Sequence, residues 1–141
     1  MLKKIPAIIS PELLKVLMEM GHGDEIVLAD GNFPAASCAR RLVRADGHGV
    51  PELLEAILEL FPLDTYQTPV YLMEKSAGDN VPTPIWDIFD KTVKKYEPLA
   101  KTALVERFAF YEQAKRAYAV VATGESALYA NIILKKGVVK P

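Results

Sequence analysis

The chain has 141 residues and half of them are hydrophobic, so it can bury a sizeable core without disulfides or metals. Its 17 basic and 18 acidic side chains nearly cancel, which leaves no field strong enough to attract a nucleic-acid backbone or an anionic membrane surface. The only cysteine, Cys38, cannot form an intramolecular disulfide and is typical of a reducing compartment. No apolar run is long enough to cross a bilayer, and we expect one cytoplasmic domain over residues 1–141.

The first predicted helix ends directly before a histidine. Ser10-Pro11-Glu12 is typical of a helix start, with a capping serine and a proline in the first turn. Gly21 suits the position just past a helix end, so His22 follows the helix directly. Residues 25–30 then form an apolar run that ends in an acid. This run predicts a buried strand whose carboxyl end carries Asp30.

The rest of the chain continues to alternate between strands and helices. Apolar spacing and turn residues predict strands at 41–45, 69–74, 118–122 and 132–135, and helices opening at Pro51 and covering 85–96 and 106–117. This alternation predicts an α/β fold, a single layered domain with a central mixed sheet and flanking helices. Functional side chains are then expected on loops at the carboxyl ends of strands.

His22 and Asp30 are the first candidates for chemistry. The histidine pKa of about 6.5 suits general acid–base catalysis, but a loop histidine that only caps the preceding helix fits the same position and is favoured by position alone. Asp30 ends a strand where α/β proteins bind ligands, and it is equally typical of a turn-forming aspartate. With Asp24 these residues form no ligand set for a metal, so we predict neither a metal nor another cofactor.

Two later segments carry groups that suit a polar ligand. Arg107 stands beside three aromatic residues, and its guanidinium can hold hydroxyl oxygens or a carboxylate. A helix that only buries its aromatic face accounts for the same pattern. Tyr129 and Asn131 offer a phenol and an amide that bind sugar hydroxyls well, although asparagine also favours turns for conformational reasons. Spacing leaves both interpretations open.

Three segments, taken together, resemble the L-fucose mutarotases, the sister group of the D-ribose pyranases. They are Gly21-His22-Gly23-Asp24-Glu25-Ile26 with Asp30, then Arg107-Phe108-Ala109-Phe110-Tyr111-Glu112, then Thr123-Gly124-Glu125 with the stretch from Tyr129-Ala130-Asn131 to Val138. The resemblance follows the same order over nearly the whole chain and is weakest between about residues 35 and 103. The last segment also resembles the pyranases, whereas the block at 107–111 resembles the fucose branch.

The resemblance implies a ribose pyranase-like fold and a mutarotase that exchanges the α and β anomers of free L-fucose without a cofactor. It identifies His22 as the acid–base residue. It assigns sugar binding to Asp30, Arg107, Tyr129, Ala130 and Asn131. It further implies a ring-shaped homodecamer in which a neighbouring subunit completes each site. The alternatives are a D-ribose pyranase, which exchanges pyranose and furanose forms, and a non-catalytic monosaccharide-binding accessory protein.

The implied reaction also suggests a role for each group. We hypothesise that His22 protonates the ring oxygen, while Asp30 or Tyr129 handles the anomeric hydroxyl. The aromatic rings of Phe108, Tyr111 and Tyr129 are expected to face the C6 methyl group of the deoxy sugar.

Overall fold

The computed structural model describes residues 1–141 and contains five helices and six strands. The helices are α1 Pro11–Glu19, α2 Ala35–Cys38, α3 Val50–Leu58, α4 Ile85–Tyr96 and α5 Arg107–Arg116. The strands are β1 Glu25–Ala29, β2 Leu42–Ala45, β3 Val70–Met73, β4 Thr102–Val105, β5 Ala119–Thr123 and β6 Ile132–Lys135. Every predicted helix and strand is present, with small shifts at the ends, and the predicted α/β fold with flanking helices is confirmed.

Two elements were not predicted from the sequence. The helix α2 has only four residues, about one turn, so it is too short to show helical periodicity. The strand β4 lies at the edge of the sheet, and its residues alternate between exposed and half-buried. It therefore lacks the apolar run that marks a buried strand.

The six strands form one mixed sheet in the order β2-β5-β1-β6-β3-β4. Five of them run parallel, and β6 runs antiparallel to both of its neighbours, β1 and β3. The carboxyl ends of the five parallel strands therefore meet the amino end of β6 at one edge of the sheet, here called the carboxyl edge. The opposite edge is called the amino edge. Polar residues that follow the five strands and those that precede β6 converge at the carboxyl edge.

Apolar cores cover both faces of the sheet. In β1, Ile26 and Leu28 pack into the larger core with α1, α3 and α4, whereas Val27 and Ala29 point to the other face, where Phe110 of α5 packs. This alternation is the two-residue period of a strand, and burial on both faces explains why residues 26–29 of β1 and 119–122 of β5 are all apolar. Each fully buried large side chain contributes about 1.5–3 kcal/mol. No helix has the length and hydrophobicity needed to span a membrane.

Candidate active site

A cleft of about 320 Å³ opens at the carboxyl edge of the sheet, at the lower end of the volumes typical of small-molecule sites. Its floor is formed by residues that leave β1 and enter β6, and its walls come from the segments after β3 and β4. The lining residues are Asp30, Asn32, Phe33, Met73, Ser76, Asp79, Arg107, Tyr111, Leu128, Tyr129 and Asn131. Four of the five residues predicted to bind a sugar lie in this one cleft.

Asp30 and Asn131 form a buried pair at the floor of the cleft. The backbone N–H of Asp30 donates to Oδ1 of Asn131 at 2.8 Å, and Nδ2 of Asn131 donates to Oδ2 of Asp30 at 3.1 Å. The other carboxylate oxygen, Oδ1, accepts from the N–H of Asn32 at 3.0 Å. These bonds satisfy both side chains and fix their orientation. The antiparallel direction of β6 brings Asn131 beside Asp30, although 101 positions separate them in the sequence.

Burial dominates the electrostatics of Asp30. It raises the pKa of this carboxyl above its ordinary value, and the bonds from Asn32, Ala130 and Asn131 offset only part of that effect. A carboxyl with a raised pKa exchanges its proton more readily near neutrality than an exposed one does. A perturbed acid in a cleft is the kind of group found at functional sites.

Arg107 reaches the cleft because β4 ends just before it. Glu106 caps α5 by accepting from the N–H groups of Phe108 and Ala109 at 3.0 and 2.9 Å, so Arg107 occupies the first helical position. Its Nε donates to the hydroxyl of Tyr111 at 3.0 Å. The remaining guanidinium donors are available to hydroxyl oxygens of a ligand.

Tyr129 stands at the rim of the cleft in a left-handed backbone conformation, with a φ of 55°. This conformation is strained for a residue with a Cβ atom, and Tyr129 forms three hydrogen bonds with the segment after β3 and the first turn of α4. Nε1 of Trp86 donates to the carbonyl oxygen of Tyr129 at 2.9 Å, and the N–H of Ser76 donates to its hydroxyl at 3.2 Å. The hydroxyl in turn donates to Oδ2 of Asp79 at 2.6 Å.

Ala130 and Phe108 differ from the other predicted residues. The side chain of Ala130 is fully buried in the larger core, so only its backbone could touch a ligand. Phe108 is exposed and does not line the cleft, because its ring faces outward from the first turn of α5. The apolar wall is formed instead by Phe33, Met73 and Leu128, together with the aromatic rings of the two lining tyrosines.

His22 lies at the opposite, amino edge of the sheet. The five-residue strand β1 separates it from Asp30 and spans about 17 Å, so one chain cannot bring both side chains to the same monosaccharide. Nε2 of His22 lies 3.1 Å from Oδ1 of Asp64, and its ring packs against that of Tyr66 with 5.5 Å between centroids. The side chain of His22 is about half exposed, at 47%.

Asp64 orients this histidine and was not predicted from the sequence. Its carboxylate is buried and also accepts from the N–H groups of Tyr66 and Gln67, both at 3.2 Å. Burial raises the pKa of Asp64, but the bonds from Tyr66, His22 and Gln67 outweigh it and leave the pKa below its ordinary value. An ionised carboxylate can only accept, so the proton of the neutral imidazole lies on Nε2 and Nδ1 keeps its lone pair.

The chemistry available at these two edges is proton transfer and hydroxyl recognition. The carboxyl edge supplies an acid, an amide, a guanidinium and a phenol, and the amino edge supplies an imidazole. No three His, Cys, Asp or Glu side chains lie close enough together to hold a metal ion. Asp64 and Asp79 contact their partners from 42 and 50 positions away in sequence, so no local motif could have identified them.

Comparisons with known proteins point to one family. Residues 3–139 match the model of the RbsD / FucU transport protein family. A human protein named fucose mutarotase is 54% identical over 97% of this chain and 94% of its own length. The crystal structure of FucU from Bifidobacterium longum covers 96% of this chain and 99% of its own, with 60% identity and a TM-score of 0.94. A fucose mutarotase from Streptococcus pneumoniae, solved in complex with L-fucose, has the same TM-score at 55% identity and covers 99% of this chain and all of its own.

Proposed function

The chain belongs to the RbsD / FucU transport protein family, and from this membership we infer that it is an L-fucose mutarotase. It is an isomerase that interconverts the α and β anomers of free L-fucose. The observation that carries this conclusion is the cleft at the carboxyl edge, where hydroxyl-binding groups face an apolar wall. Relatives at 53–54% identity named fucose mutarotase support the same activity.

Mutarotation needs only acid–base chemistry. The C1–O5 bond of the cyclic hemiacetal breaks as the anomeric hydroxyl loses a proton and the ring oxygen gains one. Rotation about C1–C2 and closure on the other face give the second anomer. Because the ring also opens unaided in water, the 10²- to 10⁴-fold typical of general acid–base catalysis, about 3 to 5 kcal/mol, gives a useful rate.

The cleft residues fit the binding half of this reaction. Arg107 and Asn131 can hold ring hydroxyls, and Asp30, fixed by Asn131, can accept or donate at another. Phe33 and Met73 present an apolar surface to the C6 methyl group, which L-fucose has and D-ribose lacks. Arg107, Asn131 and Asp30 therefore act in binding, with Ala130 contributing only through its backbone.

His22 serves as the acid in this proposal, and it comes from a second copy of the chain. Its position at the amino edge is consistent with a head-to-tail contact, in which the amino edge of one subunit covers the carboxyl edge of the next. Exposed apolar side chains occur at both edges, with Phe108 and Leu128 at the carboxyl edge and Tyr66 near His22. Head-to-tail contacts form a ring when the rotation between neighbouring subunits closes, and a closed ring of this kind is what the ring-shaped homodecamer implied by the family resemblance requires.

Residues 1–141 act as one sugar mutarotase domain in this proposal, and the family match over 3–139 supports that extent. The buried free thiol of Cys38 supports a cytoplasmic location, where thiols remain reduced.

Saturation-transfer NMR of the anomeric protons tests the function directly. We expect the protein to accelerate anomer exchange of L-fucose more than that of D-galactose, which has the opposite configuration at C2 to C5 as well as a hydroxyl on C6. The acceleration should also exceed that of the pyranose–furanose exchange of D-ribose. His22→Ala should remove most of the acceleration while the protein remains folded. Acceleration limited to D-ribose would refute the assignment, as would ligand-protected thermal melting without any exchange.

A further inference from the structure

The loop between β3 and α4 does more for Tyr129 than support its backbone. Three groups of this loop and of the first turn of α4 contact Tyr129, and two of them meet at its hydroxyl: the N–H of Ser76 and the carboxylate of Asp79. Lys75 donates to the carbonyl oxygen of Val81 at 3.0 Å and so fixes the loop. Asp79 takes no part in the sugar contacts proposed above.

Both oxygens of Asp79 are already occupied. Oδ1 accepts from the N–H of Val81 at 3.0 Å, and Oδ2 accepts from the hydroxyl of Tyr129 at 2.6 Å. The bond from Tyr129 is the main reason why the pKa of Asp79 is below its ordinary value. Asp79 is therefore an ionised acceptor in the lining of the cleft, and its Oδ2 is linked to the phenol of Tyr129.

The phenol of Tyr129 has one donor and two acceptor positions. Its hydrogen is committed to Asp79, and one lone pair accepts from Ser76. The second lone pair is free at the rim of the cleft. Toward a sugar, Tyr129 can thus only accept a hydrogen bond, which suits the hydroxyl group that loses its proton.

We propose that Asp79 is a positioning residue for mutarotation that acts through Tyr129 and receives the proton released when the anomeric hydroxyl ionises. The proposal rests on the mutarotase function argued above. It assigns the anomeric hydroxyl to Tyr129 and leaves Asp30 to bind another hydroxyl.

The proton movements balance. The O1–H bond of the sugar breaks and its proton passes to Oη of Tyr129, while the Oη proton of Tyr129 passes to Oδ2 of Asp79. The electron pair left on O1 forms the C1=O1 double bond, and the C1–O5 electron pair moves to O5. O5 takes the Nδ1 proton of His22 from the adjacent copy, and this histidine begins the step as the protonated imidazolium, with Nε2–H held by Asp64. Asp79 ends protonated and His22 neutral, and ring closure reverses each transfer.

Exchange rates of variants across a range of L-fucose concentrations test this relay. Asp79→Asn keeps one acceptor oxygen in place of two, for either Val81 N–H or the hydroxyl of Tyr129, and it cannot take up a proton. We expect the maximal exchange rate to fall about 100-fold, with a change in the half-saturating concentration of less than about threefold. Asp90→Asn is the matched control, because Asp90 is an exposed residue of α4 that pairs only with Lys94, and it should exchange at the wild-type rate.

A double variant separates a relay from simple support. If Asp79 and Tyr129 act as one unit, Tyr129→Phe, Asp79→Asn and the double variant should be equally slow, since losing either member breaks the relay. Asp79→Glu restores a proton acceptor and should exchange faster than Asp79→Asn.

Three results would overturn the proposal: an Asp79→Asn rate within threefold of wild type, losses that multiply in the double variant, or a glutamate variant no faster than the asparagine one. A wild-type protein without L-fucose exchange would instead refute the mutarotase function itself. Thermal unfolding of each variant confirms that it is folded.

Discussion

His22 and Tyr129 lie at opposite edges of the sheet. Oligomers that contain two different variants test whether these two residues reach one site from two subunits. His22→Ala removes the imidazole, and Tyr129→Phe removes the phenol hydroxyl and with it the bond to Asp79. Each variant alone lacks one necessary group in every site. We expect activity to return when the two variants are assembled into the same oligomer.

The fraction of activity that returns depends on whether one subunit or two contribute to each site. If each site takes its histidine from one subunit and its tyrosine from the next, random assembly from equal amounts of the two chains restores about one site in four. In such sites the Tyr129→Phe chain supplies His22 and the His22→Ala chain supplies Tyr129. If one chain supplied both groups, every site would lack one of them and no activity would return.

Co-expression of the two chains with different affinity tags, followed by sequential purification, isolates the mixed oligomers. Their L-fucose exchange rate is measured by saturation-transfer NMR and compared with wild type at equal subunit concentration. A rate of about one quarter of wild type supports shared sites, whereas a rate no higher than that of the pure variants would refute them. A physical mixture of separately purified variants that do not exchange subunits serves as the control.

Two further predictions concern stability. Asp64→Asn should lower the free energy of unfolding at pH 7, and its deficit relative to wild type should shrink as the pH falls below 3.8, the ordinary pKa of the group, in urea titrations. The sign follows from the lowered pKa of Asp64, because a carboxylate stabilised in the folded state contributes above its unfolded pKa and loses that contribution as it protonates. A deficit that stayed constant down to pH 3 would contradict this linkage. Gly124→Ala should cost about 1–3 kcal/mol, because its Cβ would collide with the carbonyl oxygen of Asp46, whereas Gly47→Ala meets no atom within 4 Å and should be nearly neutral. If both alanine variants lost the same free energy of unfolding, the backbone around Gly124 would be able to move away from the new Cβ atom without cost, and the prediction would be wrong.

Local sequence patterns were sufficient for most of the fold. The helix at 85–96 was predicted with the observed bounds, because its apolar spacing is regular and Pro98 follows it. The strand β1 was equally evident from its apolar run. The edge strand β4 was not, since its partly exposed residues resemble a loop. Without β4, the sequence could not predict that Arg107 reaches the cleft.

The site was only partly accessible to the same reasoning. Asp30 could be predicted from its position after a strand, but its pairing with Asn131 depends on the order of strands in the sheet, which local patterns do not fix. Asp64 and Asp79 resemble ordinary turn aspartates in the sequence. Their contacts with His22 and Tyr129 exist only after distant segments have packed together.

The reversed strand β6 has a consequence for how the protein is made. It is the last strand along the chain, yet it lies between β1 and β3 and is the only strand that pairs the β2-β5-β1 group with the β3-β4 pair. A nascent polypeptide still lacking residues 129–135 cannot pair these two groups into one sheet, and Asp30 has no Asn131 to bind. The long sequence separation of these pairings also favours slow folding. We therefore expect chains interrupted during synthesis to be incompletely folded and inactive. Their exposed apolar surface makes them targets for proteolysis.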